Sequence, residues 1–303
     1  MQSRRKVWTR FGELIVVGAA VSAGSMASAA NLPDAVYASL MQASPAVLFA
    51  EGEGEGARAP TTAASKPAVV SSEGGEAGEG EGAVQPASAV TDDIVYLSLL
   101  GQVRGHLAVG VALYKAGAHP MALMHMKHPG DELYAAIKPA LDARHASDFA
   151  TELSALSSTV ERSGTQAEVA SALAQLEVAL EQSASVVETR SVTGTKALLG
   201  AVHALVKTAA DEYAQGVKDG KIVNGHEYQD AWGFTTSANV LLASLSDEQR
   251  SAAGSSVAEI QAQIDGLLAS AWPSLVPPES ITTDAALLYG AAARIELAYR
   301  GLR

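Results

Sequence analysis

The chain has 303 residues and no cysteine, and its 33 acidic residues against 21 basic ones give a net charge of −12. A thiol-free chain excludes disulfides, thiolate metal sites, iron–sulfur clusters and covalent c-type haem attachment. The negative balance argues against nucleic acid and anionic lipid as partners and favours cations or basic surfaces.

The N-terminus carries Arg4, Arg5, Lys6 and Arg10, then a short apolar run to Met26, then Ala27, Ser28 and Ala29. This is the order of a secretory signal, so residues 1–29 are assigned as a signal peptide and the protein as periplasmic or secreted. The run is shorter than the roughly 20 residues needed to span a bilayer. Ser3, Arg4, Arg5 and Lys6 also resemble the twin-arginine export consensus, with Val7 and Trp8 departing from it. No second long apolar stretch is evident, so no integral membrane segment is expected after cleavage.

Residues 30–50 are read as a short helical segment around Leu32, Val36, Leu40 and Met41. Residues 51–90 are rich in Gly, Glu, Ala, Pro and Ser and carry too few large apolar side chains to offset ordering entropy. They are read as a disordered acidic linker.

From residue 91 to 303 the pattern is helical. Ile94, Leu97, Leu100, Val103, Leu107 and Val111 recur at spacings of three and four, as on a helix buried along one face. Later segments repeat this, for example Val169, Leu173, Leu176 and Leu180. Ser246 and Gln249 fit a capping box, Pro129 suits a first helical position, Gly220 a helix stop, and Pro273, Pro277 and Pro278 an irregular connection. No alternating Val/Ile/Thr-rich segment reads as a strand. The fold class is therefore all-α, a helical bundle or stacked helical hairpins. Residues 110–122 read like the helix-turn-helix of a tetratricopeptide unit, without a second copy.

Two clusters carry chemistry. His106, His125, His128 and Glu132 lie in the first, where His125-x-x-His128-x-x-x-Glu132 puts three donors on neighbouring turns and a helical hairpin brings His106 opposite. Imidazole with carboxylate suits zinc, iron, copper or nickel. Met121, Met124 and Met126 interleave with these histidines and read as core filler at that spacing. The second cluster is Glu212, Glu227 and Asp230, walled by Tyr213, Tyr228, Trp232 and Phe234 across an Asp219-Gly220 turn. There is no G-x-S-x-G elbow, no P-loop and no dinucleotide fingerprint, so an enzyme is not expected.

At these clusters the chain resembles a family of exported bacterial helical proteins with a Gly/Glu-rich N-terminal tract. The residues that carry the resemblance are Gly105-His106, His125-x2-His128-Pro129-x2-Glu132-x-Tyr134, and Tyr213-x3-Val217-x-Asp219-Gly220 with Glu227 and Asp230. The second cluster is also similar to the periplasmic helical region of some bacterial iron permeases. The resemblance covers most of residues 92–240 and less of the C-terminal helices. It implies an association with periplasmic metal handling, with His106, His125, His128 and Glu132 as the positions that match the motif. The cofactor expected is a transition metal ion, iron ahead of copper or zinc, with haem as a further option because it needs only an axial His or Met in an apolar pocket. A membrane permease or other envelope protein is the implied partner. The alternative function is a helical protein–protein interaction module of the cell envelope that holds no metal.

Overall fold

A computed structural model describes residues 86–189 and 191–302. The signal peptide, the 30–50 helix and the linker up to residue 85 lie outside the described residues. Residues 86–90, which the sequence assigns to that linker, instead form a 3-10 helix, Pro86–Val90. It is held because Ala89 is buried and its carbonyl accepts from Arg144 Nε at 2.8 Å.

The chain then runs through α1 (Asp93–Lys115), α2 (His119–His128), a π-helical turn (Pro129–Leu133), α3 (Tyr134–Arg144), α4 (Ala150–Glu161) and α5 (Gln166–Ala184). The second half holds α6 (Val192–Gly216), a two-stranded hairpin of β1 (Val217–Lys218) and β2 (Lys221–Ile222), α7 (Gly225–Ala243), α8 (Asp247–Ala253), α9 (Ser255–Ser270) and α10 (Ala285–Arg300). The all-α expectation holds, with this hairpin as the small exception among the described residues. Asp219 and Gly220, both at positive φ, make its tight turn, so Gly220 ends a hairpin and α6 stops earlier, at Gly216.

Helix starts follow local side-chain chemistry. Asp92 caps α1, accepting from Ile94 N at 2.8 Å and Val95 N at 3.3 Å. Thr165 with Glu168 and Ser246 with Gln249 form capping boxes at α5 and α8. Asn224 caps α7 through His226 N at 3.0 Å.

Two apolar cores result. One gathers α1 to α5 around Leu100, Leu107, Met126, Ile137, Leu156 and Leu180. The other gathers α6 to α10 around Val202, Leu205, Phe234, Ile260, Ile264 and Ile295. In the second, α6 packs on α7, α7 on α9, α9 on α10 and α10 back on α6, closing a four-helix ring.

Helix α1 joins the halves, since it packs against α2 on one side and against α6 and α7 on the other. It was expected to bury one face, yet nearly every residue from Tyr96 to Val111 is buried. A helix apolar on all sides suits a central position. By length and composition α1 could cross a bilayer, contrary to the expectation of no second apolar stretch, and 83% of its most apolar window is buried by the other helices.

The close approach of α1 and α7 depends on two glycines. A Cβ on Gly105 would stand 2.6 Å from Phe234 Cδ1, and one on Gly233 would stand 2.5 Å from the Gly105 carbonyl oxygen. With neither Cβ present, His106 and Asp230 are carried into contact.

Candidate metal centre

His106 on α1 and His125 on α2 are fully buried, and Asp230 on α7 is nearly so. The Nδ1 atoms of His106 and His125 lie 2.7 and 2.9 Å from Asp230 Oδ1. One turn before Asp230 on α7, His226 brings its own Nδ1 to 3.0 Å from Asp230 Oδ2. Three imidazoles from three helices thus face one carboxylate. With metal–nitrogen and metal–oxygen bonds of roughly 2.0–2.2 Å, neighbouring donors on one ion stand about 3 Å apart. The observed separations are of that size.

The rings also support each other. His125 and His226 stack with centroids 4.3 Å apart and 2° between planes, and His106 meets the edge of Phe234 at 5.0 Å. His128 sits beside His106, its ring centroid 4.5 Å away. Behind His125, Gln229 Oε1 lies 2.8 Å from Nε2, and Gln229 Nε2 donates to the Leu275 carbonyl at 3.1 Å.

Burial alone would push Asp230 up, but the charges and hydrogen bonds of His106 and His125 outweigh it and hold the carboxyl well below the usual range. Burial pushes His125 down, more strongly than Asp230 pulls it up. For His226 burial also acts downward, yet the hydrogen bond and charge of Asp230 prevail and leave it raised. These shifts favour the ionised form of Asp230 and the neutral form of His125, the forms in which both ligate metals.

The two clusters read from sequence are one site, differently composed. Of the first set, His106 and His125 meet at the centre and His128 flanks them. Glu132 does not join: its Oε1 is 3.7 Å from His128 Nδ1, with the side chain more than half exposed. The spacing assumed an α-helix, whereas the chain after Pro129 takes a π turn, whose wider turn rotates Glu132 out of the α-helical register.

Of the second set, Asp230 becomes the shared anion. Glu227 stands at the rim, grouped with His226 and Asp230 and accepting from Asn224 Nδ2 at 3.4 Å. Glu212 is buried on α6, accepts from Gln215 Nε2 at 3.1 Å, and belongs to neither group of metal-type donors among the described residues. Tyr213 and Tyr228 pack as core, whereas Phe234 both packs in that core and walls His106. His226 and Gln229 were not read as site residues, although His226-x-x-x-Asp230 places imidazole and carboxylate one turn apart on a single helix face.

Residues 188–301 match the iron permease-associated 4-helix bundle domain. The match spans the closed ring of α6, α7, α9 and α10 and carries His226, Gln229 and Asp230, while His106 and His125 precede it. It bears out the similarity to the helical region of iron permeases and shifts its bounds, because it begins well after residue 92 and runs across the C-terminal helices. No curated protein and no solved structure matches the chain.

Proposed function

We propose that this protein holds a divalent transition-metal ion, iron in its ferrous state by preference, between His106, His125, His226 and Asp230. It acts outside the cytoplasm, without catalysis, in iron uptake or homeostasis, and it works beside a permease of the envelope. The observation that carries the reading is the convergence of three imidazole nitrogens on one buried carboxylate. The 4-helix bundle match supports the iron-uptake association.

The donor set argues for the charge of the ion. Imidazoles suit iron, zinc, copper and nickel, whereas all-oxygen sites suit magnesium, calcium and manganese. One carboxylate with neutral imidazoles leaves a net charge of one around a divalent ion and two around a trivalent ion, and buried uncompensated charge is costly. The nitrogens face a carboxylate and each other's rings rather than an open apolar face, which favours an ion over haem.

Metal analysis of protein isolated from its native compartment without chelator tests this. One equivalent of transition metal is expected in the wild type and in Glu132→Gln, and none in Asp230→Asn or His125→Ala. Metal-free wild type that takes up neither ferrous, cobaltous nor zinc ion with Kd below about 10 μM would sink the proposal.

A further inference from the structure

Gln229 is buried, and its amide spans two unlike partners. The Leu275 carbonyl can only accept, so the Gln229 atom 3.1 Å from it must be the NH2. The same NH2 lies 3.5 Å from Met121 Sδ, also an acceptor. The other end, Oε1, is therefore the atom 2.8 Å from His125 Nε2, and that oxygen can only accept. His125 Nε2 must then carry the hydrogen. Nδ1 is then the ring nitrogen left to an ion, which would take it in place of a hydrogen.

That nitrogen lies 2.9 Å from Asp230 Oδ1, beside the carboxylate that would share the ion.

We infer that Gln229 is a positioning residue: through Leu275 it locks the Nε2–H tautomer of His125 and so presents Nδ1, beside Asp230, as a ligand atom. The consequence for metal rests on the function proposed above, whereas the tautomer does not. Partners that hold the distal nitrogen of a ligating histidine change metal affinity by about 10–100-fold when removed.

The test combines two readouts. Long-range 15N–1H correlation on the metal-free wild type at pH 8 should show His125 carrying a hydrogen at Nε2. Gln229→Leu should raise the population that lacks Nε2–H and weaken cobalt(II) binding by about 10–100-fold. Gln229→Glu, whose protonated carboxyl can accept from His125 and donate to Leu275, should restore affinity to within a few-fold of wild type. A wild-type spectrum in which His125 Nε2 carries no hydrogen overturns the inference, and this arm needs no variant to fold. A folded Gln229→Leu protein that binds cobalt(II) within twofold of wild type overturns it too, while leaving the metal-binding proposal standing. If the Nε2–H tautomer is found but wild type binds no metal, the inference stands and the proposed function falls.

Discussion

Asp230 and His203 show how the same kind of helix position yields different chemistry once the neighbours are known. Asp230 is held ionised by the imidazoles of His106 and His125. His203 on α6 packs against the Tyr299 ring at 5.5 Å. Burial pushes it below its ordinary 6.5, Glu296 pulls it up, and Arg300 and Lys207 push it down. The folded protein therefore keeps His203 neutral where the unfolded chain already takes a proton. This contribution to stability is fully present above pH 6.5 and is lost as pH falls through the lower folded value. His203→Gln should remove that loss. Chemical unfolding at pH 5 and pH 7 should show a smaller difference for the variant, by up to about 1.4 kcal/mol per pH unit; an unchanged difference contradicts the assignment. The sequence shows no acidic cluster beside His203, and the charges of Glu296 and Arg300 that act on its ring come from a helix far along the chain.

At the scale of elements, the site depends on how closely α1 and α7 approach. Gly233→Ala would place a methyl group 2.5 Å from the Gly105 carbonyl. The helices must then separate, at a cost of about 1–3 kcal/mol, and His106 moves away from Asp230. Gly266, exposed on α9 with open space around the would-be Cβ, serves as the contrast. Gly266→Ala should stabilise by about 0.5–1 kcal/mol through helix propensity and the loss of unfolded-chain freedom. Denaturant midpoints of the two variants should move in opposite directions, and equal shifts would refute the crossing as the constraint. Most elements are legible in sequence. The Ser246–Gln249 capping box and the apolar periodicities correspond to observed helices, and the break at Pro273 to Pro278 falls between α9 and α10. What local signals misplace is the stretch after His128, where Pro129 opens a π turn rather than starting a helix. Spacing rules that assume 3.6 residues per turn then put Glu132 on the wrong face.

Across the whole molecule, the candidate centre lies where the two cores meet. His106, His125 and His128 come from the N-terminal core, and His226 and Asp230 from the four-helix ring. An ion held there joins the halves, and binding to the folded state alone stabilises it. At about 100 times Kd the gain is about 2.7 kcal/mol, which for a domain of this size corresponds to a rise of roughly 5–10 °C in Tm. Thermal scans with and without ferrous ion, under anaerobic conditions, should show one transition moving upward. The same scans on Asp230→Asn should show no movement, and a wild-type scan unaffected by metal speaks against a shared centre.

The sequence by itself determined the helical class, the start of α8 at Ser246 and the chemistry available. Those follow from local propensity, capping and composition, which act within a few residues. It also singled out His106, His125 and Asp230 as candidates, because the chain has only seven histidines and these residues fall in clusters with others of their kind. Only the tertiary structure decided that the two clusters are one centre, that Glu132 and Glu212 stand outside it, and that His226 and Gln229 belong to it. The reason is long-range: residues more than a hundred positions apart meet only because Gly105 and Gly233 let α1 and α7 pack backbone to backbone, and no local pattern encodes that crossing.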